Sequence, residues 1–299
     1  MVVCFALDEE DKRNANNEFI EASSIDFESR FIRERRAIQK AKTIETAIFV
    51  DKHLHQRFSN NLNELKRLVL AIMSEVQLIY NFRSMKTAIR IVIVKFEVLP
   101  LTSEAPNDAH GDIDKYLDNF CEWQARKMRH EARDKRWDHA IMLTGLDLYK
   151  DIGNGKKNKK VLGKPRLAWV NGMCKPQYSC TLNEGKSFEA SFVIAHEMGH
   201  SLGILHDNRN NNCDGDKYIM SEKTGPGKIH WSSCSNAYLE AFLKKGHGMC
   251  LENVATPRPE LDFTKSHRLP GEQYPPDLQC RLALGSQYKA YRSTKTPFD

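Results

Sequence analysis

The stretch that decides the fold is His196-Glu197-Met198-Gly199-His200-Ser201-Leu202-Gly203-Ile204-Leu205-His206-Asp207. Phe188–Leu202 reads as a helix that Gly203 stops. Residues four apart share one helix face, so His196 and His200 can offer imidazole nitrogens to one ion. Glu197 is rotated roughly 100° from His196, close enough to touch a metal-bound water without being a ligand. Gly203 permits the positive φ of a sharp turn. Beyond it the chain can return beneath the metal and bring His206 as a third ligand.

Three neutral imidazoles leave one tetrahedral position open, which marks a catalytic rather than a structural zinc. Such an ion lowers the pKa of its water towards ~7 and polarises a carbonyl. Glu197 is then the expected base, taking the water proton and delivering it to a leaving amine. A bare H-E-x-x-H arises by chance in about one chain in a hundred of this length. Gly203, His206 and Asp207 at fixed offsets remove chance as a rival.

Working outward, Thr46–Val50, Ala88–Leu99 and His139–Thr144 read as strands, and Leu167–Val170 as an edge strand. Asn60–Tyr80 and Asp112–His130 carry apolar residues at helical spacing. This order predicts an α/β layer with a mainly parallel sheet. After the zinc stretch the chain is irregular until Ser235–Lys245, a short helix with Ser235 as its expected cap. Proline becomes dense from Ala255 onwards and signals a linker.

Residues 1–36 differ in composition, with nine acidic and six basic side chains. They end in Arg33-Glu34-Arg35-Arg36, the R-x-R-R pattern cut by secretory proprotein convertases. The expected division is therefore 1–36 as a propeptide remnant, 37–254 as the catalytic domain, and 255–299 as a linker opening another module. Met1–Leu7 lacks the pattern of a secretory leader. No apolar run approaches the ~18 residues of a membrane span. The net charge of +6 permits an acidic partner without requiring one, and no nucleic-acid partner is expected. Eight scattered cysteines suit disulfides and an oxidising compartment. Six of them, between Cys121 and Cys250, allow fifteen pairings.

The zinc stretch with Asp207 resembles the reprolysin branch of the metzincins. Further stretches resemble the ADAMTS family: Asp138–Thr144, Gly172-Met173-Cys174, Ser179–Glu184, Trp231–Ser235, Cys250–Asn253, and Leu269–Tyr274 followed by Gln279-Cys280. The resemblance covers about residues 43–290. It implies a metzincin catalytic domain with an irregular C-terminal subdomain and a disintegrin-like start near the end of the chain. It makes Met220, in Tyr218-Ile219-Met220, the methionine floor beneath the zinc, and 221–229 the S1′ wall. Substrate would lie along Leu167–Val170. It implies calcium bound by Glu45, Asp138, the Cys250 carbonyl and Asn253, and the bridges Cys121–Cys174, Cys180–Cys250 and Cys213–Cys234. Cys280 would await a partner outside this chain, and Cys4 would be an ordinary buried thiol.

The same resemblance implies a secreted zymogen activated by a convertase and acting on extracellular-matrix proteins. The lysine-rich loop Lys150–Lys164 stands where the family usually carries two more cysteines and a second calcium. It suggests an acidic polysaccharide such as heparan sulfate as a partner. The rival readings are an ADAM-type or venom-type reprolysin, and a matrix-binding protein on the same fold. The first is opposed by Tyr274 and Cys280 in their setting, the second by intact Glu197 and histidines.

Overall fold

The computed structural model describes residues 4–6, 41–151, 157–158 and 167–291, apart from 101, 103, 224, 226, 254 and 267. The motif Arg33, Arg35, Arg36 and most of the lysine-rich loop lie outside the described residues. The chain divides into a unit spanning 41–266 and a smaller unit formed by its two ends. In the smaller unit Cys4–Ala6 pairs antiparallel with Tyr288–Ala290, beside the helix Pro276–Leu284. Cys280 of that helix is disulfide-bonded, which corrects the expectation that it waits for a partner outside the chain.

The larger unit is built on four parallel strands: β1 (Lys42–Val50), β2 (Ile89–Val98), β3 (His139–Thr144) and β4 (Cys180–Glu184), in the order β2-β1-β3-β4. The helices are α1 (Lys52–Arg57), α2 (Leu62–Asn81), α3 (Ile113–His130), α4 (Glu189–Ser201) and α5 (Ser233–Lys244). Alternation along the strands gives the sheet two buried faces. Ala47, Phe49, Ala140, Met142 and Leu182 join Tyr116, Leu117 and Phe120 of α3 in one core cluster. The alternate residues Ile48, Ile141 and Leu143 are equally buried. There, α2 packs against α4, and the Tyr80 hydroxyl donates to the Ala195 carbonyl at 3.0 Å.

Sequence explains the long helices. Leu65, Val69, Ile72, Met73, Val76 and Ile79 of α2 are buried at helical spacing, and Asn61 Oδ1 caps the helix by accepting from the Glu64 amide at 3.2 Å. Asp112 does the same for α3 through the Lys115 amide. Each fully buried Leu or Ile contributes about 1.5–3 kcal/mol of transfer free energy.

Cys180–Glu184, within one of the stretches that carry the resemblance, forms strand β4. Three expectations need correction. Helix α5 begins at Ser233, and Ser232 rather than Ser235 caps it. Leu167–Val170 is not a continuous strand: it meets β4 through one antiparallel bridge, Ala168 to Thr181, and the Leu182 amide donating to Leu167 O at 3.1 Å. The bridges are Cys121–Cys180, Cys174–Cys250 and Cys213–Cys234. The expected pairs Cys121–Cys174 and Cys180–Cys250 are exchanged because α3 lies directly on β4, which sets Cys121 opposite Cys180 with Cα atoms 5.6 Å apart. Cys174 sits in the preceding turn at φ 66° and meets Cys250. The compact unit also runs past residue 254, because Leu261 and Phe263 are buried and the Phe263–Lys265 turn packs against α2.

Candidate metal centre and cleft

Helix α4 carries Ala190, Ile194, Ala195 and Met198 into the core and leaves His196 and His200 on a shared face. It ends at Leu202, and Gly203 takes φ 85°. A side chain there would strike Asn171 Oδ1 and the Phe242 ring, so glycine is required by both conformation and space. The turn returns His206 to the helix. His206 Nε2 stands 3.1 Å from His196 Nε2 and 3.0 Å from His200 Nε2. Together the three residues form a cluster that could hold a metal ion.

Hydrogen bonds fix the tautomers. His196 Nδ1 donates to the Ile219 carbonyl at 2.7 Å, and His200 Nδ1 donates to the Ile204 carbonyl at 2.8 Å. A carbonyl only accepts, so each Nδ1 carries the proton and each Nε2 presents a bare lone pair. Lone pairs converging on one point repel unless a cation lies between them. Ligands at ~2.05 Å in tetrahedral geometry stand about 3.3 Å apart, close to the spacing seen. The donor set therefore fits zinc. Burial pushes His196 down to about 4 and His200 well below its ordinary value, and lowers His206 as well. All three are neutral imidazoles at physiological pH, the form a metal requires.

Glu197 is buried beside the histidines, and that burial pushes its carboxyl up to about 8. Met220 is fully buried under the helix. A Cβ at Gly199 would stand 2.9 Å from Met220 Sδ, so the missing side chain lets the methionine approach. The Met220 turn also supplies two backbone contacts: Ile219 O accepts from His196 Nδ1, and Met220 O accepts from the Asp207 amide at 2.9 Å. Asp207 Oδ1 accepts from Ser232 Oγ at 2.6 Å. Sequence reading missed Gly199, Ser232 and the carbonyls of Ile204 and Ile219. Backbone atoms leave no signature in residue type. Gly199 and Ser232 were the legible ones, as a helix-interior glycine and a serine preceding a helix.

The end of α4 is clamped from outside. The Asn171 amide donates to His200 O at 3.0 Å and the Met173 amide to Ser201 O at 2.9 Å, satisfying carbonyls that a helix end leaves open. The same segment continues from 167–170, where the Leu182 amide of β4 donates to Leu167 O at 3.1 Å. The part of 221–229 that is described includes Glu222, whose Oε1 lies 4.0 Å from His206 Nδ1.

A second acidic pair lies at the start of β1 and β3. The Glu45 amide donates to Asp138 Oδ2 at 2.9 Å, and the Asp138 amide donates to Glu45 O at 2.8 Å. Burial pushes Asp138 up to about 7; the Glu45 charge adds to this, and the Glu45 amide opposes it. The turn Met249–Glu252, which contains Cys250, packs against β1, and Glu252 pairs with Lys42. At the foot of the lysine-rich loop, Lys186 bridges Glu184, at 3.1 Å, and Asp147. A cavity of about 380 Å³ opens elsewhere, over Asp51, His53, Asp108 and Tyr116. Its polar groups satisfy one another: His53 Nε2 pairs with Asp108 at 3.0 Å, and Asp51 accepts from the amides of Leu54 and Gly145.

Residues 42–255 match the reprolysin (M12B) family zinc metalloprotease domain. Among curated proteins, the chain is 31% identical to human "A disintegrin and metalloproteinase with thrombospondin motifs 6" over 85% of its own length and 23% of that protein's. It is 32% identical to the Caenorhabditis elegans adt-1 member of that group over 83% and 17% of the two chains, and 33% identical to mouse member 16 over 82% and 19%. The chain thus spans less than a quarter of the length of each of these relatives. No helix among the described residues is long and apolar enough to cross a membrane. The chain belongs to the reprolysin (M12B) family of zinc metalloproteases.

Proposed function

We propose that the domain is a secreted endopeptidase in which His196, His200 and His206 hold one zinc and Glu197 is the general base. The observation that carries this reading is the convergence of three Nε2 lone pairs at 3.0–3.1 Å, two of them aimed by Nδ1 protons given to backbone carbonyls. Zinc, when bound, supplies Lewis acidity towards the scissile carbonyl and the attacking water. Glu197 takes the proton of that water and returns it to the leaving amide nitrogen. The buried carboxyl with its raised affinity for protons suits both directions of transfer. The segment 167–170 beside β4 takes the peptide as an added strand, and Met220 floors the site. Removal of metal with a chelator should abolish peptide cleavage, and one equivalent of zinc should restore it. Cleavage that persists in fully metal-free protein would contradict the reading.

A structural calcium held by Glu45, Asp138, the Cys250 carbonyl and Asn253 belongs to the same proposal. Glu45 and Asp138 are half-buried neighbours at the start of two adjacent strands, and such oxygen ligands suit calcium. Matrix proteins as substrates, and activation by cleavage after Arg36, follow from likeness to the disintegrin and metalloproteinase group and from the Arg33, Arg35, Arg36 motif.

A further inference from the structure

The three histidines are not held alike. His196 and His200 each give an Nδ1 proton to a backbone carbonyl, at 2.7 and 2.8 Å. The main chain of His206 is fixed, because Asn211 Nδ2 donates to its carbonyl at 2.8 Å and the Asp207 amide donates to Met220 O at 2.9 Å. Its ring is another matter. Among the described residues, His206 Nδ1 meets no carbonyl within hydrogen-bond distance. The group that faces it is Glu222, whose Oε1 lies 4.0 Å away.

The fold builds this approach. The bond from the Asp207 amide to Met220 O sets the two stretches side by side, which brings His206 and Glu222 together. Ser221 is fully buried, and its amide and hydroxyl both donate to Tyr218 O, at 3.0 and 2.6 Å. That turn leaves Glu222 as the first exposed residue after Ile219-Met220-Ser221. An ordinary surface carboxylate would pair with the lysines beside it. Lys228 instead gives its ammonium to Lys223 O at 2.7 Å, and among the described residues Glu222 forms an ion pair with neither lysine. The gap to His206 exceeds a hydrogen bond by about 1 Å. A small rotation of the exposed Glu222 side chain closes it while His206 Nε2 stays in the cluster.

We infer that Glu222 is a positioning residue for the third histidine: its carboxylate accepts from His206 Nδ1, fixes the tautomer that bares Nε2, and strengthens that nitrogen as a metal ligand. A ring that donates to a carboxylate leaves its other nitrogen more electron-rich, and such partners contribute about 10–100-fold in metal affinity. Glu222 is exposed, so solvent and salt screen its charge and the lower end of that range applies. Carbonyls orient His196 and His200; a carboxylate orients His206 from the segment expected to wall the S1′ pocket. The inference rests on the zinc reading above.

The test uses the intact chain and zinc alone, with competition against a chromophoric chelator as the readout, so that it does not depend on turnover. Glu222→Ala should weaken zinc binding about tenfold. Glu222→Gln, which keeps an acceptor without the charge, should weaken it less. Glu240→Ala removes an equal charge from an exposed site on α5 and should change affinity less than about twofold. Nitrogen NMR of the zinc-loaded parent should find the His206 proton on Nδ1. In Glu222→Ala that proton should exchange faster with solvent, while those of His196 and His200 stay as in the parent. The metal-free variant should melt with the metal-free parent. Equal loss of affinity in Glu240→Ala would overturn the proposal, because the effect would then be one of bulk charge. So would a His206 ring proton that exchanges equally fast in parent and variant. A change confined to KM for peptides with a basic side chain would also overturn it, making Glu222 a substrate contact. A parent chain that binds no zinc would remove the zinc reading and this inference together. Undiminished zinc affinity in Glu222→Ala would remove this inference alone.

Discussion

Ser232 Oγ donates to Asp207 Oδ1 at 2.6 Å while it accepts from the Ser235 amide at 2.9 Å. One hydroxyl thus joins the residue following the third histidine to the start of α5. Asp207 is nearly inaccessible, and its Oδ2 has no partner among the described residues, so its charge depends on Oδ1. Ser232→Ala should therefore remove a helix cap and strand a buried carboxylate at once. The expected loss is about 2–4 kcal/mol in denaturant unfolding. A loss of under ~0.5 kcal/mol, the range of ordinary surface changes, would show that this link is incidental.

The cystine pattern makes a covalent prediction. Peptide mapping under non-reducing conditions should recover Cys121 joined to Cys180 and Cys174 joined to Cys250. Removing the first bridge with paired serines should destabilise the domain by about 4 kcal/mol, given its sequence separation of 59. Recovery of Cys121 joined to Cys174 would mean that α3 does not lie on β4 as described.

Glu75 of α2 offers a pH signature. Burial pushes its carboxyl from 4.5 up to about 7, with the Ser191 hydrogen bond opposing. A carboxyl raised on folding holds its proton more tightly in the folded state. Its contribution to stability is full below about 4.5 and disappears as pH rises through about 7. Glu75→Gln, which stays neutral, should be about 1–3 kcal/mol more stable than the parent above neutrality and equal to it in acid. Parallel pH–stability curves for the two proteins would refute this.

Calcium should raise the melting temperature of the wild-type domain, and Asp138→Ala should remove most of that rise. The substitution deletes a carboxylate from the site and leaves β3 in place. An undiminished calcium response in the variant would place the ion elsewhere.

Much of this was legible in the sequence, for physical reasons. His139–Thr144 has the expected bounds because all six residues are buried and four are apolar. Helices α2 and α3 were readable from strong apolar periodicity and capping side chains. Strand β4 was not, because Thr181 and Asn183 are polar yet buried, with the Asn183 amide donating to Thr181 Oγ1 at 3.2 Å. The histidines and Glu197 stood out through fixed spacing, whereas the carbonyls that aim His196 and His200 carry no residue signal. The exchanged bridges show a similar limit. Cys174 and Cys180 are near neighbours in sequence, and only the packing of α3 on β4 decides which of them meets Cys121.

The central claim is that metal binding and proton transfer belong to different residues. The most direct test measures zinc content and peptide turnover together in Glu197→Ala. The account predicts about one zinc per chain, as in the parent, with turnover reduced at least ~100-fold, the usual scale of a general-base contribution. Turnover at the wild-type rate with zinc bound would contradict it.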